Sequence, residues 1–240
     1  MIACSVCQTQ NDTFAVICSN CKAFLQNRIP NLDLFQTSWR VIESPRQAFH
    51  DITLADHKNY SLILYGIFGI ALTSLVLSFA HLGDSFSSLL GVIVFLLATG
   101  FAAGLCLAPF LNTVHWGLAK IVGGKGGWRI SLGLTAYSLV PMTLSVVLLL
   151  PIELLTFGMY IFTGNPPPYA IKPALYIVLI GLEGLLAAWS FLLLVKATAI
   201  GYQLETARST LIAVLLILVG GGTFWIGTKF LIQAHDKGIV

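Results

Sequence analysis

The chain has 240 residues, of which 57% are hydrophobic and only 10% charged, with a formal net charge of +3. Soluble domains average about 45–50% apolar and about 25% charged residues; the shortage of charge is the larger departure, and a mean hydropathy of +0.87 agrees with it. These figures exclude a secreted enzyme, a nucleic-acid-binding domain and a disordered tail, and they predict an integral membrane protein with a small polar head.

The first 58 residues carry Lys22, Arg28, Arg40, Arg46 and Lys58 against Asp12, Asp33, Glu43, Asp51 and Asp56. Four of the five cysteines, Cys4, Cys7, Cys18 and Cys21, also lie there. They form two C-x2-C pairs with ten residues between them. Each pair closes a tight knuckle that points two thiolates at one centre, and four thiolates suit tetrahedral Zn²⁺. Phe14-Ala-Val-Ile17 between the pairs is β-prone and suits the return strand of a hairpin. A rubredoxin-like iron site uses the same ligands, but nothing nearby points to electron transfer. A site closed by four thiolates has no open position for catalysis, and disulfides are disfavoured on the cytoplasmic side. A head this short cannot bury enough apolar surface to fold without such a staple. Cys106, far along the chain, reads as a buried packing residue.

The linker follows. Ser44, Pro45 and Gln47 read as an N-cap, a proline at the first helical position and a capping-box partner. Pro45, Ala48, Phe49, Ile52 and Ala55 then share one face, predicting an amphipathic helix over 45–57 that lies along the inner membrane surface or against the bundle.

A helix needs about 20 apolar residues to cross a bilayer. Spans are predicted at about 60–80, 88–111, 130–152, 171–195 and 209–228, with Arg129 and Glu153 bounding the third. Pro109 and Pro141 fall inside predicted helices and predict kinks. Asn165-Pro-Pro-Pro168 predicts a rigid outer loop. Gly100-x-x-x-Gly104 allows close helix approach, within the chain or between two copies.

Five spans put the termini on opposite sides. A cytoplasmic head leaves ten Lys and Arg inside, including Lys120, Lys125, Arg129, Lys196 and Arg208, and three outside, Lys172, Lys229 and Lys237; the positive-inside rule selects this orientation. No signal peptide is visible before the cysteines. The expected fold is an all-α membrane bundle of five transmembrane helices behind a small N-terminal zinc ribbon: ribbon 1–27, linker 28–58, membrane domain 59–240.

Chemistry-bearing motifs are scarce in the membrane domain. Gly123-Gly-Lys-Gly-Gly127 fails as a phosphate loop, having no Ser or Thr after the lysine and no preceding strand. It reads as a flexible inner loop where Lys120, Lys125 and Arg129 can meet lipid phosphates. His50 and His57 are too far apart for one metal, and His81 and His115 fit interfacial positions. No catalytic set emerges, so no enzyme is predicted. Glu183 is the acid near mid-span, where a carboxylate costs a few kcal/mol. It predicts either a proton or cation step in transport or, preferably, a bond to a hydroxyl of Ser131, Thr135, Tyr137 or Ser138.

Trp39-x-x-Ile42-x-x-Pro45-x-x-x-Phe49-x-x-Ile52 resembles the start of the Yip domain, named for Ypt/Rab-interacting membrane proteins. Leu118-Ala-Lys-Ile-Val-Gly-Gly-Lys-Gly-Gly127, the stretch from Ala136 to Pro141 and the turn over 200–208 resemble it too. The resemblance covers about residues 38–228 and implies the five-span fold. A zinc-ribbon head on this domain resembles prokaryotic members, which implies the inner membrane of the cell. Eukaryotic relatives are associated with Rab GTPases and vesicle traffic, but no Rab-binding motif carries over by residue. The expected function is a non-enzymatic adaptor or membrane organiser. Its head would bind a cytoplasmic protein partner, its body would contact membrane lipids, and no nucleic acid partner is expected. The alternative is a small transporter or lipid-handling protein built on Glu183.

Overall fold

The computed structural model describes residues 1–27 and 29–236, and their side chains except those of Thr228, Phe230 and residues 231–236. Expectations resting on Arg28, Lys237 and the tail ending at Val240 lie outside the described residues.

The head begins with strands β1 (Ile2–Ala3) and β2 (Gln10–Asn11), paired antiparallel with Ile2 opposite Asn11. Phe14–Ile17 is not the return strand: only the Ile17–Phe24 bridge forms there. The two C-x2-C knuckles instead repeat one hydrogen-bond pattern. Cys4 N–H bonds Thr9 O and Gln8 N–H bonds Cys4 O, while Cys18 N–H bonds Ala23 O and Lys22 N–H bonds Cys18 O. Gln8 and Lys22, each directly after a second cysteine, are both left-handed at φ 60.

The linker is two helices where the sequence predicted one. Helix α1 (Leu34–Glu43) is capped by Asp33, whose carboxylate accepts Gln36 N–H at 2.7 Å. Asp33-x-x-Gln36 is itself a capping-box spacing. Helix α2 (Pro45–Leu54) starts at Pro45 as predicted, but the Ser44 side chain makes no cap hydrogen bond and the helix stops at Leu54 rather than residue 57. Arg40 and Asp51 clasp the two helices at 2.7 Å. Lys58 reaches back to the carbonyls of Ile52, Thr53 and Ala55, closing the C-terminal end of α2 where helix carbonyls lack partners. Burial holds the Lys58 amine down at about 8, with Asp56 pulling the other way.

Among the described residues five helices are long and apolar enough to cross a membrane: Ser61–Phe79 (α3), Leu89–Ile121 (α4), Val140–Phe162, Pro173–Tyr202 (α9) and Thr206–Gly227. Span 2 differs from its expected extent, since α4 (Leu89–Ile121) runs through Pro109 to Ile121 without an interfacial turn. Span 3 also shifts. A separate helix α5 (Trp128–Ser138) precedes it, the chain breaks at Leu139 before Pro141, and the span continues through α6 (Val140–Leu144), a π-helical turn (Ser145–Leu149), α7 (Leu150–Phe157) and a 3₁₀ turn to Phe162. Pro151 lacks an N–H and crowds the carbonyl four residues back, and the π turn just before it absorbs that conflict. Past the proline-rich loop and the short helix α8 (Pro168–Ile171), α9 (Pro173–Tyr202) and α10 (Thr206–Asp236) complete the bundle.

Helices α3 and α4 meet backbone to backbone. A Cβ on Gly100 would fall 2.7 Å from Ile70 Cα, and one on Gly104 would strike the Tyr65 carbonyl. The Gly100–Gly104 face is thus consumed inside the chain, which removes it as a homo-oligomer contact.

The main core joins linker to membrane body. Val41, Phe49 and Ile52 pack in one buried cluster with Leu64, Tyr65, Leu134, Tyr137 and Tyr202. Helix α2 therefore turns its predicted apolar face into the bundle.

Candidate functional site

At the head, the sulfurs of Cys4, Cys7, Cys18 and Cys21 all lie within 4.8 Å of one another. Cys4 and Cys21 are 3.6 Å apart, as are Cys7 and Cys18. A tetrahedral metal with thiolate bonds of about 2.3 Å holds its sulfurs about 3.8 Å apart, so the cluster fits such an ion. Hydrogen bonding with Thr9 draws the Cys7 thiol down to about 5, while, against a backbone hydrogen bond at Ala23, the Cys7 thiol and burial push Cys21 up to about 12, so the four sulfurs share their protons as one cluster.

The sequence reading missed Asn11. Its amide donates to Cys18 Sγ at 3.5 Å and to Thr9 O at 2.8 Å, while its carbonyl oxygen accepts Ser19 N–H at 2.8 Å. It thereby locks the first knuckle to the second. Cys106 takes no part in the cluster and is exposed on α4, not buried.

The head touches the body at one point and the linker helix α2 at another. Gln203 donates to Asp12 at 3.0 Å, and the Phe14 and His50 rings lie 5.2 Å apart. Gln203 is placed by a Schellman turn at the end of α9, being left-handed at φ 54 with Leu204 N–H bonded to Ala199 O.

The glycine run 123–127 does not form the flexible loop expected of it. Gly123, at φ +90, ends α4 in the same kind of turn, with Gly124 N–H on Ala119 O. Lys125 N–H bonds Tyr202 O, and a Cβ on Gly126 would lie 2.7 Å from the Tyr202 ring. These glycines permit backbone contact with Tyr202. Lys120, Lys125 and Arg129 stand exposed around this turn.

His115 is not interfacial. It is fully buried, with Nδ1 2.7 Å from Ser131 Oγ and Nε2 2.9 Å from Thr198 Oγ1. The Thr198 hydroxyl also donates to Leu194 O and the Ser131 hydroxyl to Asn112 O, so the imidazole sits in a buried network that ties α4, α5 and α9 together. With Ser131 equally buried, this histidine–serine contact has no approach for a substrate and acts as a strut.

Glu183 accepts a hydrogen bond from Ser145 at 3.3 Å. That hydroxyl belongs to span 3, as expected, but to the π turn and not to Ser131, Thr135, Tyr137 or Ser138. Those four bond His115, Tyr65, Asn59 O and Thr135 O instead. Nor is Glu183 alone. Glu153, expected to bound span 3, lies within it, and both acids line one cavity of about 580 Å³. The uncharged run Leu154-Leu-Thr-Phe-Gly-Met-Tyr-Ile-Phe162 was the sequence signal that the span extends past Glu153.

Neither a curated protein nor a solved structure matches this chain. The Yip1 domain family model matches residues 39–227, from the exposed Trp39 of α1 to the end of the fifth span. The chain therefore belongs to the Yip1 domain family of membrane proteins.

Proposed function

We propose that this protein is a non-enzymatic membrane adaptor whose zinc-built cytoplasmic head presents a recognition surface to a protein partner. One observation carries the reading. Val6, Ile17 and Phe24 of the ribbon are 71%, 55% and 62% exposed. Ile17 and Phe24 are bridge partners, so their side chains share one side of the ribbon. Lipid accounts for exposed apolar side chains on the five spans. It does not account for those of a head on the aqueous side, where exposed apolar clusters mark interaction sites. The cytoplasmic orientation rests on the distribution of lysine and arginine.

Zinc supplies the shape of this surface and no reactivity, because four thiolates fill its coordination sphere. The contacts of Asp12 with the body and of Phe14 with helix α2 give the surface a fixed attitude on the membrane. Lys120, Lys125 and Arg129 contact lipid phosphates on the same side, anchoring the body under its head. The prokaryotic inner membrane is the setting implied by the ribbon–Yip combination.

Two measurements test this. Elemental analysis of the purified protein gives one zinc per chain, and the Cys4→Ser, Cys7→Ser double variant loses it; stoichiometric iron, or zinc unchanged in the variant, contradicts the assignment. Crosslinking in membranes with and without residues 1–37 shows a protein partner that disappears with the head. A partner retained without the head rules out the adaptor reading.

A further inference from the structure

We infer that the cavity between spans 1, 3 and 4 is a binding site for an organic ammonium group carried on an apolar body. The cavity, about 580 Å³, is bordered by the second half of α3, by the π turn and α7, and by the first half of α9. It lies in the half of the bundle remote from the head. Phe79 and His81, at the far end of span 1, line it there.

Its floor is acidic. Glu153 is only 4% exposed and, among the described residues, has no hydrogen-bond or ion-pair partner. Among the described residues Glu183 has the Ser145 hydroxyl alone. Lysine and arginine are absent from the described lining, and its one histidine, His81, lies where span 1 ends. Intramembrane acids ordinarily pair with one another, with a cation or with water. The local backbone aims at the site: the π turn Ser145–Leu149 brings Ser145 to Glu183, and such turns occur frequently at functional sites.

The chemistry of the walls selects the ligand class. A bare divalent cation requires six or more oxygens in a tight shell. Here Leu72, Leu75, Val146, Leu150 and Ile180 surround the acids with hydrocarbon, as in sites that hold an apolar body and orient it by a few polar groups. An ammonium group placed between Glu153 and Glu183 donates charge-assisted hydrogen bonds to both and relieves the repulsion between them. The same chemistry is offered by an aminophospholipid headgroup and by a soluble amine.

The test uses the full chain in nanodiscs of phosphatidylglycerol, with a fluorescent dodecylammonium probe and its uncharged dodecanol analogue. Specific, saturable binding of the cation over the neutral analogue is expected. Glu153→Gln and Glu183→Gln each weaken it by about tenfold or more, as expected for loss of a charged hydrogen-bond partner, and leave the neutral analogue unmoved. Gly184→Leu leaves both acids in the sequence. Gly184 lines the cavity, and a Cβ there meets nothing within 4 Å, so the leucine fills the space without disturbing the helix and blocks the probe. Displacement by phosphatidylethanolamine alone assigns the natural ligand to lipid, and displacement by free ethanolamine assigns it to a solute. Absence of cation preference, or binding indifferent to Glu153→Gln and Gly184→Leu in variants that melt like the parent, overturns the inference and leaves a carboxyl pair that shares protons.

Discussion

At the scale of single residues, the side chains that organise this protein are polar groups with more than one obligation. Asn11 holds a cysteine sulfur and two backbone groups from the two knuckles at once. Outer-shell partners of metal ligands typically tune affinity by about 10–100-fold, so Asn11→Ala should weaken metal binding by a factor in that range, measured by competition with a zinc chelator. An unchanged affinity would mean that the knuckles hold their geometry without it. His115 is the counterpart in the body. His115→Ala leaves a hole and breaks two interhelical bonds, and should cost about 2–4 kcal/mol in thermal or denaturant unfolding in detergent. Cys106→Ala, on the exposed face of the same helix, should cost almost nothing. The cysteine cluster was readable from spacing alone, because two C-x2-C pairs bring four thiols to one centre. Asn11 and His115 were not, because their roles depend on which chain segments meet, and no local pattern announces a buried hydrogen bond between residues such as His115 and Thr198.

At the scale of elements, glycine sets where helices approach and where they stop. Gly100 and Gly104 let α4 lie against the backbone of α3, while a Cβ on Gly117, farther along the same helix, meets nothing within 4 Å. Gly104→Leu should therefore destabilise the bundle by about 1–3 kcal/mol or more through overpacking. Gly117→Ala should be neutral or slightly stabilising, by up to about 1 kcal/mol, from helix propensity. Melting temperatures of the two variants side by side decide this, and equal effects would refute the packing assignment. The G-x-x-x-G motif was legible in sequence; its partner was not, since the motif fits a second copy as well as a neighbouring helix. The glycines at 123–127 misled in the opposite way. Their density suggested mobility, whereas Gly123 ends a helix and Gly124 and Gly126 make room for Tyr202. Helix α1 escaped attention although Asp33 and Gln36 carried a capping signal, because the proline at 45 drew the helix start to the second linker helix.

Across the whole molecule, hydropathy alone fixed the number of spans, since few 20-residue apolar runs have any other use. It misplaced the third, where Glu153 looked like a boundary. An acid inside a span is costly enough that a sequence reader takes it for an edge, and only the cavity explains its tolerance. Joining of head and body was also beyond the sequence: the apolar face of α2 was visible, but whether lipid or protein covers it depends on Leu134 and Tyr137 being present opposite. The proposed orientation predicts that reporter fusions at Lys22 and after Val240 report opposite sides of the membrane, with the head inside. Matching readings would remove one span from the account.

The central claim is that the ribbon is a partner surface held clear of lipid. Site-specific photocrosslinking in intact membranes tests it most directly, with the reactive group at Phe24 on the ribbon or at Leu155, which is 88% exposed on the third span. The account predicts a discrete protein adduct from Phe24 that is lost with Cys4→Ser and Cys7→Ser, and lipid adducts from Leu155. Lipid adducts from both positions would contradict it.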